Sequence, residues 1–208
     1  MASIGKDYKK EWFEKAKVDY FSPFVNLWLA CNSWYNFHYS LSGDRHHVNK
    51  LKTDFGNSNK LYKNFEKIYA NGDSKNEKSF LALLELLHFS LNQARIKPEK
   101  FPATKYLSLS CMLVDYNNLN DCNAYVNAVL PSALTAKGNL KSNVNGIILG
   151  SNLVFDANTE IIFSGLIETI YQVRCMLVHG ELSPTDENHE VVKYCYLVLY
   201  EMMKDFCA

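Results

Sequence analysis

Two residues in the last quarter of the chain, Arg174 and His179, have side chains suited to acid/base chemistry on a phosphate group. An imidazole can accept or donate a proton near neutral pH, and a guanidinium donates paired hydrogen bonds to phosphate oxygens. Arg174 lies between Ile170 and Leu177 on the apolar side of a predicted helix. An unpaired charge buried there costs roughly several kcal/mol, so Arg174 must pair, reach water, or line a cleft or an interface.

The direction of the His179 side chain depends on how this helix ends. On a regular helix, a residue five positions after Arg174 points about 140° away, and the two side chains would not meet. Gly180 allows the chain to leave the helix in a left-handed conformation, which can turn His179. The helix dipole also favours a protonated imidazole here. In a purely structural alternative, Arg174 pairs with Glu168 or Asp186, and His179 only caps the helix.

Helical periodicity dominates the sequence and predicts an all-α protein, because strands and helices do not alternate as in a parallel sheet. A short stretch, Ile147–Phe155, fits either a hairpin or a loop. The first predicted helix is Asp7–Tyr20, and the second is begun by Ser22-Pro23 and runs toward Tyr39. The middle of the chain is predicted to contain two short surface helices within Arg45–Ala70, then the helices Ser79–Ala94 and Cys122–Leu130. Another helix is predicted from Asn158 or Thr159 to Val178, stopped by His179-Gly180, and the last is begun by Ser183-Pro184 and expected to pack antiparallel to it.

Length and composition predict one folded domain. The 208 residues are 48% hydrophobic and include 13 Tyr, 12 Phe and 3 Trp, which excludes a wholly disordered chain. No internal repeat is visible, so residues 1–208 are predicted to form a single helical domain with Arg45–Ala70 and Thr104–Phe155 as peripheral insertions. The sequence shows no apolar leader at its start and no continuous apolar stretch long enough to cross a membrane. We therefore expect a cytoplasmic protein without a membrane partner.

The charge of the chain is balanced overall but uneven along its length. Residues 1–105 contain 17 Lys+Arg and 11 Asp+Glu, whereas residues 106–208 contain 5 and 11. Overall neutrality argues against a protein that coats long stretches of nucleic acid. For a basic stretch with interleaved aromatic residues, a solvated face is the favoured interpretation. If RNA is the substrate, this stretch is predicted to contact its phosphates and to stack on its bases. Its members are Arg45, Lys50, Lys52, Lys60, Lys63 and Lys67, with Phe55, Tyr62 and Phe65.

No motif for a metal or an organic cofactor is present. The six cysteines form no CxxC pair, which predicts structural thiols, and the sequence has no phosphate-binding glycine loop or zinc-protease motif. His46 and His47, with His38 nearby, lack a third correctly spaced ligand, so a solvated loop is the favoured interpretation. We expect no metal and no cofactor.

Two segments resemble the HEPN domain superfamily. The segment IYQVRCMLVHGE at residues 170–181 resembles the R-x(4–6)-H region of these domains, including the apolar lead-in and the glycine after the histidine. The segment FVNLWLACNSWY at residues 24–35 is similar to the tryptophan-containing first core helix of several prokaryotic HEPN groups. Both segments also occur in the expected order along the chain.

The resemblance implies a HEPN-like up-and-down helical bundle with additional short helices, and a homodimer in which the two Arg/His motifs face each other. It implies a metal-independent endoribonuclease of a toxin or phage-defence type. His179 would be the acid/base, Arg174 would hold the phosphate, and Cys175 and Gly180 would be adjacent to the site. The partners implied are an RNA substrate and a cognate antitoxin or defence-system protein.

One position departs from the family pattern. Many active members have a polar residue after the arginine, whereas this chain has Cys175, a weak hydrogen-bonding group. This departure favours an alternative, a non-catalytic HEPN module that binds RNA or a protein partner. A helical scaffold without a nucleic-acid role is the third hypothesis.

Overall fold

The computed structural model describes residues 18–69, 74–150 and 153–207 and is mostly helical, with 57% helix and 8% strand. This content agrees with the predicted all-α class. Most of the predicted helix Asp7–Tyr20 lies outside the described residues. The helices are α1 (Phe21–Tyr39), α2 (Asp44–Leu51), α3 (Lys60–Ile68), α4 (Lys75–Ala94), α5 (Thr159–Val178) and α6 (Asp186–Cys207).

Two small antiparallel sheets occupy the middle of the chain. Strand β1 (Met112–Leu113) pairs with β2 (Tyr125–Val126), and β3 (Gly146–Leu149) pairs with β4 (Leu153–Asp156). The hairpin interpretation of Ile147–Phe155 is therefore confirmed. The predicted helix Cys122–Leu130 is wrong, because only Cys122–Ala124 forms a short 3₁₀ turn before the chain enters β2. Pairing with β1 thus overrides the weak helical pattern of this segment.

Helix α1 ends at Tyr39 as predicted but begins earlier than expected. The carboxylate of Asp19 accepts a hydrogen bond of 2.9 Å from the Phe21 amide, and the Ser22-Pro23 pair lies within the first turn rather than before it. Proline is tolerated there because amide groups of the first turn have no partner within the helix. Ser22 is therefore not the cap of this helix, and the Asp19 side chain satisfies one amide of the first turn.

Helix α4 also begins earlier than predicted, at Lys75 rather than Ser79. Ser74 and Glu77 form a capping box, in which each side chain accepts a hydrogen bond from the backbone amide of the other residue. This reciprocal pair satisfies two amide groups at the helix start, so the helix includes the polar turn before the apolar residues.

Helix α6 begins later than predicted, at Asp186. The Thr185 hydroxyl accepts a hydrogen bond of 3.3 Å from the Asn188 amide, so Thr185 and not Ser183 caps the helix. Helix α6 packs mainly against α4, α1 and α3 and only lightly against α5. The expected antiparallel pairing with α5 is therefore not its main packing. The reason is a broad apolar surface that faces several helices: Val191, Val192, Cys195, Val198, Leu199 and Met202 are fully buried.

Helix α5, which contains the Arg174/His179 motif, is the central helix of the fold. It is long and apolar enough to cross a membrane by length and composition, but 72% of its most apolar 18-residue window is buried inside the protein. Such burial is typical of the core helix of a soluble protein. At Gly165 the helix lies directly against Met112 of β1, so the small sheet packs on the same helix that ends at His179.

The two short helices predicted within Arg45–Ala70 are present as α2 and α3. Each contributes fully buried apolar side chains, Val48 and Leu51 from α2 and Leu61 and Phe65 from α3. These residues belong to the same hydrophobic cluster as the buried residues of α5 and α6. The interaction of α2 with α5 is the basis of the site described below.

Removing the cap of α5 is expected to weaken the fold by a modest and measurable amount. The Asn158 side chain accepts hydrogen bonds from the Glu160 and Ile161 amides, at 3.1 and 3.2 Å. Asn158→Ala should lower the free energy of unfolding by about 1 kcal/mol. Asn158→Asp retains the acceptor at the positive end of the helix and should unfold at nearly the wild-type urea concentration. Equal destabilisation by both variants would contradict this role of the amide oxygen.

Candidate functional site

The end of helix α5 places His179 at the surface. The helix ends at Val178, the His179 amide donates to the Cys175 carbonyl over 2.9 Å, and Gly180 follows with φ +73°. The predicted stop at His179-Gly180 is therefore confirmed. The next two amides, those of Glu181 and Leu182, both donate to the Met176 carbonyl and close the helix end. The backbone thus holds this position while leaving the imidazole exposed.

His179 lines a cavity of about 470 Å³ that is open to solvent. We call it the His179 cavity. Its volume is in the range of sites that bind small molecules. Its walls come from the end of α5, the start of α2, and the loops around Pro98 and Tyr116. The ionisable side chains that line it are those of Arg45, Glu99, Lys100, Tyr116, Tyr171, Cys175, His179 and Glu181.

Arg174 does not line this cavity. Its Nη1 atom lies 3.4 Å from a carboxylate oxygen of Asp44 on α2, and its guanidinium carbon lies 6.0 Å from the centre of the Trp28 ring. The side chain is 19% exposed. The structure thus pairs Arg174 with Asp44 rather than with Glu168 or Asp186, the partners considered in the structural alternative. The HEPN-like segments of α1 and α5 do meet here, through Trp28 and Arg174.

Asp44 is itself held by α1. The Tyr35 hydroxyl donates to Asp44 Oδ1 over 2.5 Å, and the Asn32 amide nitrogen donates to the same oxygen over 3.0 Å. Burial, followed by the hydrogen bond to Asp44, raises the pKa of Tyr35 above its usual range, so the phenol keeps its proton. The Asp44 carboxylate is therefore fixed from one side and presented to Arg174 on the other.

Cys175 lies between Arg174 and His179 in the sequence. It lines the His179 cavity, and its Sγ atom accepts a hydrogen bond of 3.9 Å from Nη1 of Arg174. Burial, and then the neighbouring Cys175, raise the pKa of Tyr171, which lines the same cavity. The residue that departs from the HEPN pattern thus both contacts Arg174 and lines the cavity.

Arg45 is the guanidinium that the structure brings into the His179 cavity. Its guanidinium carbon lies 3.8 Å from the centre of the Tyr116 ring and 4.2 Å from that of Tyr171, so it makes cation–π contacts with both rings. Its Nη1 atom also donates to both carboxylate oxygens of Glu168, over 2.9 and 2.8 Å. The sequence singled out Arg45 as part of a basic stretch but did not indicate these partners.

Glu168 forms the buried centre of this arrangement. Besides Arg45, it accepts hydrogen bonds of 2.6 Å each from the Lys52 ammonium and the Gln172 amide. Burial alone would raise the pKa of Glu168, but the charges of Lys52 and Arg45 outweigh it and hold the pKa below its ordinary value. Glu168 is therefore a carboxylate at neutral pH. One negative and two positive charges meet at this point.

The predicted basic stretch does not form one continuous RNA-binding surface. Lys52 is only 3% exposed and is directed into the core, and Lys63 pairs with Glu66 over 2.9 Å. The Tyr62 and Phe65 rings are buried, so they cannot stack on bases. The members that remain exposed without a side-chain ion pair in the described structure are Lys50, Lys60 and Lys67.

The three histidines near the start of α2 make separate local contacts. His47 bonds to the Gly43 carbonyl and accepts from the Leu41 amide, and His46 bonds to the Ser42 carbonyl. His38 stacks on the Trp34 ring at a centroid distance of 5.4 Å. Within the described ranges, no three His, Cys, Asp or Glu side chains form a group that could hold a metal ion.

In comparisons with known proteins, no family model matches the sequence, and no curated protein or solved structure matches it either. The HEPN resemblance therefore rests on the motif segments of α1 and α5. Sequence reasoning found Arg174, His179 and Arg45 but missed Tyr116, Tyr171 and Lys100 as parts of one cavity. The only sequence signal for Tyr171 is its place in the HEPN-like segment, and no sequence signal singles out Tyr116 or Lys100.

Proposed function

We propose that this chain is a metal-independent endoribonuclease of the HEPN type, with His179 as its acid/base residue. The observation that supports the proposal is the exposure of His179 on an open cavity that also contains the Arg45 guanidinium and the Lys100 ammonium. A proton-transfer group beside positive charges is the arrangement that cleavage of a phosphodiester requires. The proposal places the enzyme in the cytoplasm, in a toxin or phage-defence role.

The proposed reaction uses the 2′-hydroxyl of RNA as the nucleophile. His179 takes the hydroxyl proton, the 2′-oxygen attacks the adjacent phosphorus, and the bond from phosphorus to the 5′-oxygen breaks. A proton from protonated imidazole or water completes the leaving 5′-hydroxyl. The products are a 2′,3′-cyclic phosphate and a 5′-hydroxyl end. Nearby guanidinium groups stabilise the negative charge that develops on the phosphate oxygens.

The resemblance assigns the phosphate to Arg174, which in a single chain lies outside the His179 cavity. We therefore propose a homodimer, in which the motif ends of two copies face each other and Arg174 of the second copy supplies a further guanidinium. An apolar groove lies beside the motif, lined by Phe21, Val25 and Leu177. Leu29 and Val178 are 55% and 51% exposed on the same two helices, α1 and α5. A second copy would cover these side chains.

The double variant Leu29→Glu/Val178→Glu is expected to shift the proposed dimer to monomer, because it places two charges in an apolar interface. Size-exclusion chromatography with light scattering measures the mass in solution. Phe89→Glu is the matched control, because Phe89 is 50% exposed on α4, away from this groove. A monomeric wild type, or a dimer that persists in the double variant, would contradict this interface.

A second candidate function is a non-catalytic module that binds RNA or a protein partner such as an antitoxin. Two observations favour it: Glu99 and Glu181 also line the His179 cavity, and Cys175 occupies the position where many active relatives have a polar residue. These carboxylates reduce the positive charge available to a transition state. This candidate predicts binding without turnover.

The deciding experiment incubates the purified full chain with single-stranded RNA in excess EDTA. The proposed enzyme should cleave the RNA and leave 2′,3′-cyclic phosphate ends. These ends have no free 3′-hydroxyl to label, and mass spectrometry identifies them. Stable binding without product would favour the non-catalytic module. If the chain neither cleaves RNA nor binds it at low salt, the nuclease and the RNA-binding module are both rejected, and a protein-binding module or a helical scaffold remains.

A further inference from the structure

We propose that Arg45 is the phosphate-binding residue of the His179 cavity, and that the cavity takes one nucleotide of a single-stranded RNA through its phosphate. This inference deepens the proposed function and rests on it for the identity of the ligand as RNA. It assigns phosphate binding within one chain to α2, rather than to Arg174 of the HEPN-like motif. The two guanidinium groups have different surroundings, and only that of Arg45 lies on the cavity.

The two tyrosine rings limit how Arg45 can bind a ligand. The ring centres of Tyr116 and Tyr171 lie 3.8 and 4.2 Å from the guanidinium carbon, so the two rings restrict the directions from which a ligand can reach it. Nη1 is occupied by the carboxylate of Glu168. The Nε and Nη2 donors form no hydrogen bond with any described residue. A planar group held in this way loses little conformational freedom when it binds an oxyanion.

The charge of the cluster also favours an anion. Arg45 and Lys52 together contribute two positive charges against the single carboxylate of Glu168, which leaves one positive charge in excess. Lys52 and Glu168 are almost fully buried, at 3% and 1% exposure, whereas Arg45 is 24% exposed. The excess charge is therefore accessible only at Arg45. In a partly desolvated site such a charge is screened less than at an open surface.

Phosphate is the anion whose geometry and surroundings fit best. The guanidinium edge matches paired phosphate oxygens, and the cavity volume of about 470 Å³ accommodates a nucleotide-sized group. His179 and Lys100 line the same cavity, as do Glu99 and Glu181, so a phosphate on Arg45 would share the cavity with the proposed acid/base residue. A ribose 2′-hydroxyl next to that phosphate would then be within the same cavity as the imidazole.

The test measures binding separately from cleavage. A short single-stranded RNA with 2′-O-methyl groups cannot form the cyclic product, so its affinity can be followed by fluorescence anisotropy over a range of salt concentrations. Arg45→Lys retains a positive charge for Glu168 but loses the planar donor edge, and Arg45→Gln removes the charge. Each should weaken binding about tenfold or more. The number of phosphate contacts, obtained from the slope of log affinity against log salt concentration, should also fall by about one in Arg45→Gln.

Lys141→Gln is the matched control, because it removes one positive charge from an exposed residue outside the cavity; it should bind with nearly wild-type affinity. Tyr116→Ala removes one ring and leaves the ion pair with Glu168 intact, so it tests the site even if an Arg45 variant does not fold. It should weaken binding several-fold. Wild-type affinity in Arg45→Lys, or in Tyr116→Ala when the Arg45 variants do not fold, would overturn the inference.

Cleavage of an unmodified RNA separates this inference from the proposed function. Cleavage with wild-type kcat/KM in Arg45→Lys would overturn the inference while leaving the nuclease proposal standing. Binding that depends on Arg45 without any cleavage would support the phosphate site and reject the nuclease. The two proposals therefore fail in different experiments.

Discussion

Replacing His179 with alanine is expected to reduce the rate of RNA cleavage by about 10²- to 10⁴-fold, the usual contribution of a general acid or base. The imidazole is exposed and lines the cavity, and no other histidine of the described structure lines it. The backbone contacts that end α5 use the amide and not the ring of this residue. The variant should therefore fold and unfold like the wild type.

The measurement is the single-turnover cleavage rate in EDTA, with the affinity for non-cleavable RNA determined in parallel. His179→Ala should lose the rate and keep most of the affinity. His38→Ala is the matched control, because it removes another exposed imidazole, one that stacks on Trp34 outside the cavity. Cleavage that continues unchanged in His179→Ala would reject the proposed mechanism.

Arg174→Ala provides a second comparison for the same mechanism. If Arg174 of a second copy holds the phosphate, this variant should also lose most of the cleavage rate. Its loss leaves the Asp44 carboxylate without its cation, so the free energy of unfolding must be measured alongside activity. Arg174→Lys keeps the positive charge beside Asp44 and should separate an effect on the fold from one on catalysis.

Replacing Glu168 with glutamine is expected to cause the largest loss of stability, about 3–5 kcal/mol, because it leaves a buried charge without its partner. Lys52 is 3% exposed, and Glu168 is the only ion-pair partner found for it in the described part of the chain. Desolvation of that ammonium would no longer be offset. Arg45 would also lose the anchor that holds it against the Tyr116 and Tyr171 rings.

Urea unfolding followed by circular dichroism provides the measurement. Glu160→Gln is the matched control on the same helix, because Glu160 is exposed in the first turn of α5; it should cost less than about 1 kcal/mol. Adding Lys52→Met to Glu168→Gln removes the unpaired ammonium and should recover part of the loss. A cost below about 1 kcal/mol for Glu168→Gln alone would show that the cluster is not needed for stability.

The same cluster should make stability depend on pH in the acid range. The pKa of the Glu168 carboxyl in the folded protein lies below its ordinary value of 4.5. Its stabilising contribution is therefore fully present above the unfolded value and is lost as the pH falls through the folded pKa. The difference in unfolding free energy between wild type and Glu168→Gln should be constant near neutral pH and shrink below about pH 4.5.

Some elements of the site were predictable from local sequence, and others were not. The stop of α5 at His179-Gly180 follows from a glycine that adopts a positive φ. The cap at Asn158 follows from a side-chain oxygen that accepts hydrogen bonds from nearby backbone amides. Both act over a few residues. The predicted helix Cys122–Leu130 was wrong because part of this segment forms β2 and pairs with β1, more than ten residues earlier in the chain. Local periodicity does not show such a pairing.

The sequence by itself determined the helical class, the extent of the motif helix and its stop at His179-Gly180, because periodicity, caps and glycine stops are short-range effects. Only the tertiary structure decided which charges meet. Arg45 and Glu168 are 123 residues apart, and Arg174 pairs with Asp44 of a different helix. A basic stretch read along the chain does not reveal that two of its members, Arg45 and Lys52, bind one buried carboxylate. Long-range packing determines how far each charge is removed from water. A buried charge is tolerated only where an opposite charge offsets its desolvation free energy.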